Sequence, residues 1–483
     1  MWHAQSIAEL GQAMANGGLS AAALTQYFLD RIGALNKAGP TLNAVREVNP
    51  RASDIARALD DERRAGHVRG PLHGIPVLLK DNIATGDGMA CTAGSLALAQ
   101  LRPRQDAELV RRLRAAGAVI LGKCNMTEFA DYLADVMPSE FSSAGGVVRH
   151  PWGKRYDRGG GSSIGAACAV AAGLCVAAVG SETQNSIQTP ASQSGVVGLK
   201  PTVGLISRSG VMPLAISQDT AGPITRRVAD ASVLLSALAG VDLNDTLTLG
   251  AAAHLHADYS RFLDPHALRG ARIGVPRQVY FGREEQQDAD ALVEQAIVTL
   301  RTAGAIIIDP ADVPTAHEVA RLRSSVFACE FKAGLKAFLA AQNEAAPMHS
   351  LGEIIAFNQA HPEQCLKYGQ LLAENAERSG DLDDPTYQAD RLRDITLTRE
   401  LGIDAVCRTY GLDALVMPGG AAAKLSGKAG YPAITVPIGH TGDGSRVGMS
   451  FIGQAFSEPR LIALAYAFEQ VRGGLSLALP DGL

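Results

Sequence analysis

Apolar residues near the start of the chain recur every three to four positions. Ile7, Leu10 and Met14 form one row, Leu24, Phe28 and Ile32 a second, and Ile55 with Leu59 a third. That spacing is one face of a helix, so residues 1–65 are expected to be helical. Beyond them the pattern changes to short apolar runs. Ile75 to Leu79, Ala118-Val119-Ile120-Leu121, Ala305-Ile306-Ile307-Ile308, Leu412-Asp413-Ala414-Leu415-Val416-Met417-Pro418, Ala433-Ile434-Thr435-Val436-Pro437 and Val447-Gly448-Met449-Ser450-Phe451 all read as strands. Two of these runs follow amphipathic stretches, 108–116 and 291–303, across a single glycine, Gly117 or Gly304. Glycine just past a helix end supplies the left-handed residue that stops it. Strands alternating with helices imply an α/β fold around a mostly buried sheet.

Residues 310–405 are more polar and read as a helical layer on one side of that sheet, and 406–483 return to strand-like texture. No repeat and no low-complexity linker divides the chain, so 1–483 is expected to be one domain with its core in 66–235. The uncharged run 164–179 is too short and too rich in glycine and alanine to span a bilayer; it reads as a buried helix leading into a strand. The first residues lack a basic region followed by an apolar one, so no signal peptide is expected.

Composition narrows the function classes. The 483 residues are 47% hydrophobic and 19% charged, as in a globular protein. The net charge of −5 gives no footprint for nucleic acid or an anionic membrane. The basic run Arg111-Arg112-Leu113-Arg114 is expected to be the wet face of a helix. Seven cysteines, odd in number and without a Cys-x-x-Cys, point to free thiols in a reducing, cytoplasmic setting. Eleven histidines form no metal-ligand spacing, so neither metal nor cofactor is expected. His254 and His256 read as exposed loop residues.

The candidate chemistry lies in two serines and a lysine. Ser162 follows Gly159-Gly160-Gly161; Ser186 closes Gly180-Ser181-Glu182-Thr183-Gln184-Asn185; Lys80 ends the apolar run Ile75-Pro76-Val77-Leu78-Leu79. Gly161-Ser162-Ser163-Ile164-Gly165 matches a nucleophile elbow centred on Ser163, but that motif needs a strand before it, and 152–158 is no strand. A phosphate-binding loop is excluded for the same reason and by the missing lysine pattern. The remaining reading is acyl transfer. A lysine is protonated near neutrality at its reference pKa of about 10.4, yet burial can lower that value by several units. A neutral Lys80 can draw a proton from one serine, which draws one from the next, and the activated serine attacks a carbonyl carbon.

Together these motifs resemble the amidase signature family. The resemblance runs through Gly74-Ile75-Pro76 with Lys80-Asp81-Asn82, Gly122-Lys123-Cys124-Asn125-Met126, Gly160-Gly161-Ser162-Ser163, Gly180 to Ser186 with Ile187-Gln188-Thr189-Pro190-Ala191, Gly195 to Thr202, Gln218-Asp219-Thr220-Ala221-Gly222-Pro223 and Gly430-Tyr431-Pro432-Ala433. It is strongest to the bacterial peptide amidase branch, through Leu205-Ile206-Ser207-Arg208-Ser209-Gly210 and residues 353–361. The resemblance implies a large mixed β-sheet core covered by helices on both faces. It also implies an amide hydrolase acting on a small-molecule or peptide amide, as a monomer or homodimer. By it, Lys80 is the base, Ser162 the bridging serine behind a cis peptide from Gly161, and Ser186 the nucleophile. Backbone N–H groups of Thr183, Gln184, Asn185 and Ser186 form the oxyanion hole.

The chain departs from that pattern near the nucleophile. Relatives usually keep glycine before it, where this chain has Gln184 and Asn185. Asn tolerates positive φ best among non-glycine residues, which is how the turn is expected to survive, with its side chain intruding near the oxyanion. Glu182 and Gln188 replace a common Asp–Arg pair, and Ile164 replaces a small residue. The connection 419–429 is short, which is expected to open the site. Two other functions use the same residues: acyl transfer to an amine, and a non-catalytic or amidotransferase-type subunit.

Overall fold

The structure, a computed structural model, describes residues 1–157, 160–342, 346–421 and 423–473; Gly159 of the glycine run and Ala422 of the short connection lie outside these. Eleven strands form one mixed sheet. In chain order the strands are β1 (Val45–Val48), β2 (Pro76–Lys80), β3 (Val119–Cys124), β4 (Phe141–Ser142), β5 (Gly146–Val147), β6 (Ala177–Glu182), β7 (Val197–Lys200) and β8 (Thr220–Thr225). There follow β9 (Arg272–Gly274), β10 (Ile306–Ile308), β11 (Ala414–Pro418), β12 (Ala433–His440) and β13 (Arg446–Ile452). The main sheet runs β1-β3-β2-β6-β8-β7-β12-β13-β11-β9-β10, while β4 and β5 form a separate hairpin.

The centre of this sheet carries the candidate chemistry. β2 pairs in parallel with both β3 and β6, and β6 pairs antiparallel with β8. Every residue of β2, β6 and β8 is buried. Burying a side chain such as Leu78 or Leu79 contributes about 1.5–3 kcal/mol, which makes β2 a rigid base for Lys80 at its end. Pro76 opens β2, a strand position where a missing N–H is tolerated. The predicted glycine stops are present: Gly117 and Gly304 have φ of 81° and 99° after the helices Glu108–Ala115 and Gln287–Thr302.

Two expectations are corrected. The N-terminal segment is not wholly helical, because Val45–Val48 forms β1 on the sheet edge, antiparallel to β3. Its sequence Val-Arg-Glu-Val has one buried and one exposed valine, so its pattern is too short to register between helices. The run Arg111-Arg112-Leu113-Arg114 is not a uniformly wet face either. Arg111 is exposed, but Arg112 donates to the carbonyl of Val241 and Arg114 pairs with Asp87 and Asp106.

The run 164–179 is, as expected, a buried helix, Ile164–Ala171, followed by β6. Its small residues permit close approach: a side chain at Gly165 would collide with the carbonyls of Asn125 and Ala44. Helices between 316 and 398 cover the loops beyond the ends of β2 and β3. Phe331 and Leu335 share an apolar cluster with Met126, Phe129, Leu133 and Met212. Among the described residues no helix is long and apolar enough to cross a membrane. All seven cysteines are buried and unpaired.

Candidate active site

Lys80 ends β2, one step past the Leu79–Val179 pair of the parallel β2–β6 register, within reach of the Ser181 carbonyl. Its Nζ lies 2.7 Å from Ser162 Oγ and 2.9 Å from the Ser181 carbonyl oxygen, with no exposure to solvent. Loss of hydration disfavours the ammonium form. Burial lowers the Lys80 pKa to about 7, against the opposing pull of the charges on Asp219, Glu182 and Asp131. The amine is therefore partly neutral at physiological pH, and at 2.7 Å a neutral amine can accept the Ser162 proton.

Ser162 is held where the chain turns into the buried helix. The Gly161–Ser162 peptide is cis. A side chain at Gly161 would strike Thr127, while the Ser162 carbonyl accepts from the Thr127 N–H at 3.2 Å. Ser163, the residue of the rejected elbow, has a structural task. Its Oγ donates to the Ser181 carbonyl at 3.0 Å and accepts from the Ser181 N–H at 3.2 Å. Its own N–H donates to the Ser186 carbonyl at 3.1 Å. That bond docks the turn carrying Thr183, Gln184, Asn185 and Ser186 onto the segment carrying Ser162.

The turn is fastened by Glu182. Its carboxylate accepts from the N–H groups of Ile187 and Gln188 at 2.6 and 2.9 Å and from Gln188 Nε2 at 2.5 Å. Burial raises the Glu182 pKa, partly offset by the charge of Lys200 and these hydrogen bonds. The pair that replaces Asp–Arg is thus an amide on a carboxylate. Charge-assisted bonds of this kind are stronger than neutral ones.

One expectation about this turn is overturned. Neither Gln184 nor Asn185 has positive φ, so the backbone does not need glycine there on conformational grounds. The Gln184 side chain turns to Gln218, donating from Nε2 to Oε1 at 3.2 Å. The short connection carries the helix Ala423–Ala429, packed on the turn. A Cβ at Gly427 would lie 2.6 Å from the Thr183 carbonyl.

Sequence reasoning assigned no role to Asp219, though it lies in the Gln218-Asp219-Thr220 motif. Its Oδ1 accepts from Thr183 Oγ1 at 2.5 Å, and its Oδ2 accepts from the N–H groups of Leu214 and Ala215 at 2.8 and 3.0 Å. Burial raises its pKa to about 6. A cavity of about 1220 Å³ borders Asp219 between Ala84, Gly210, Pro213 and the helix Val326–Ala341. Nor did the sequence single out Asp131, last of three consecutive left-handed residues, Phe129, Ala130 and Asp131. Among the described residues no group of histidine, cysteine, aspartate and glutamate is disposed to hold a metal ion.

The arrangement has close relatives. A family model described as Amidase matches residues 23–428. The native peptide amidase of Stenotrophomonas maltophilia is 44% identical, with a TM-score of 0.92 over 99% of each chain. A peptide amidase in complex with the competitive inhibitor chymostatin is 44% identical, with a TM-score of 0.91 over 97% of each chain. A probable amidase of Arabidopsis thaliana is 37% identical over 94% of this chain and 87% of its own. The mixed sheet and the match along most of its length establish that the chain belongs to the amidase family, and its activity is hydrolysis of an amide carbon–nitrogen bond.

Proposed function

We propose that the protein hydrolyses a small-molecule or peptide amide through a relay of Lys80, Ser162 and Ser186. The observation that carries this reading is the 2.7 Å contact of a fully buried Lys80 with Ser162 Oγ. Neutral Lys80 takes the Ser162 proton as Ser162 takes that of Ser186, and Ser186 Oγ attacks the carbonyl carbon. The oxyanion faces N–H groups of the turn. Glu182 occupies those of Ile187 and Gln188, which supports placing the donors among Thr183, Gln184, Asn185 and Ser186. Ser162 then protonates the departing nitrogen, the C–N bond breaks, and water releases the acid by the same relay in reverse. The likeness to peptide amidases, one of them bound to chymostatin, supports a peptide amide as the substrate class.

The test is mass spectrometry after exposure to a fluorophosphonate, with wild type expected to carry one adduct on Ser186. An active protein without that adduct would overturn the assignment. Product analysis with water and added amines in competition separates hydrolysis from acyl transfer. Acid as the sole product is the expected result.

A further inference from the structure

The antiparallel ladder of β6 and β8 ends with Glu182 opposite Thr220. Continued by one step, the same register sets Thr183 opposite Asp219, and by a second step Gln184 opposite Gln218. Both of these pairs are bonded, but through side chains: Thr183 Oγ1 to Asp219 Oδ1 at 2.5 Å, and Gln184 Nε2 to Gln218 Oε1 at 3.2 Å. The ladder is thus prolonged to within two residues of Ser186. Asp219 is anchored in turn by the N–H groups of Leu214 and Ala215. Gln218 is fully buried.

We infer that these two side-chain rungs are a clasp that positions the nucleophile turn, so that Thr183, Asp219, Gln184 and Gln218 act as positioning residues for the oxyanion N–H groups. The inference rests on reading Ser186 as the nucleophile. Glycine would give this turn no side chain by which to be held; Gln184 supplies one. An oxyanion donor acts only when aimed at the position where charge develops, and a displacement of about 1 Å can cost on the order of a hundredfold in rate. Asp219 has a second consequence. Three acidic groups act on Lys80, namely Asp219, Glu182 and Asp131, and Asp219 is the strongest in favouring its charged form. Asp219 itself feels Arg208.

The experiment compares Thr183→Val, Thr183→Ser, Gln184→Ala and Asp219→Asn with wild type. It measures the rate of fluorophosphonate adduct formation on Ser186, and kcat and KM on a peptide p-nitroanilide across pH. Thr183→Val is expected to lose about tenfold to a hundredfold in kcat and adduct rate with KM little changed. Thr183→Ser, which keeps the hydroxyl, should stay within about threefold of wild type, and Gln184→Ala should lose less than Thr183→Val. Asp219→Asn should move the acid limb of the kcat/KM profile to lower pH, because removing the carboxylate charge releases the Lys80 proton more easily. A Thr183→Val enzyme as fast as wild type would overturn the clasp. So would equal losses in Thr183→Val and Thr183→Ser. Should Thr183→Val fail to fold, Gln184→Ala and Asp219→Asn decide by the same readouts. An unlabelled Ser186 in active wild type is a different result: it overturns the nucleophile assignment, and the clasp with it.

Discussion

Two lysines end strands of the same sheet, and both are fully buried. Lys80 closes β2 and Lys200 closes β7. Burial lowers both pKa values, Lys80 to about 7 and Lys200 to about 8, and Glu182 acts on each. Their partners differ. Lys80 meets a serine hydroxyl and one carbonyl, whereas among the described residues Lys200 meets only the carbonyls of Tyr431 and Pro201, at 2.7 and 3.3 Å. A carbonyl has no proton to give. Burial and a lowered pKa therefore do not make a base; a hydroxyl within reach does. Lys200 ties β7 to the segment before β12, and Lys80 faces the hydroxyl of the proposed relay.

The largest expected effects come from breaking that distinction at Lys80. Lys80→Met should lower kcat by about 10³–10⁴-fold, the scale of removing a general base that a nucleophile depends on. A steady-state assay retaining a tenth of the wild-type rate at neutral pH would refute the relay. Ser162→Ala leaves Lys80 a single carbonyl, much like Lys200. It should cost on the order of 10³-fold in kcat while the fold survives, because the alanine leaves the lysine bonded to Ser181.

Lys200 supplies the complementary test. Lys200→Met should leave kcat within a factor of about three. It should still destabilise the protein by about 1–3 kcal/mol in denaturant titration, since two buried carbonyls lose their donor. A hundredfold loss of kcat there would erase the comparison.

The mildest test uses the wild-type enzyme and pH alone. The relay needs neutral Lys80, so kcat/KM should rise with pH, reach half its plateau near pH 7, and fall about tenfold per unit below it. A profile flat from pH 5 to 8 would show that another group carries the proton.

Much of the fold was legible in local pattern. β2, β3 and β11 are apolar runs bounded by glycine, proline or charge, and strands buried on both faces must look that way. β1 was not, because an edge strand of four residues with one exposed valine carries too little periodicity. The site divides along the same line. Lys80, Ser162 and Ser186 stand in short motifs that could be read directly. The role of Ser163, whose hydroxyl bonds both backbone groups of Ser181, could not be, nor could the packing of the helix Ala423–Ala429 on the turn 183–186. The consequence of losing glycine was misjudged for one reason: whether a turn needs positive φ depends on its path, and that path is set by Glu182, Asp219 and Ser163 together.

By itself the sequence determined the class of chemistry: an apolar strand ending in lysine, two serines in small-residue turns, and no metal-ligand spacing. The tertiary structure alone decided which groups meet. The hydroxyl that faces Lys80 rather than Lys200, and the acids that grip the turn 183–186, follow from strand register and crossover. These contacts join residues far apart in the chain, and a local pattern holds no record of distance across a sheet.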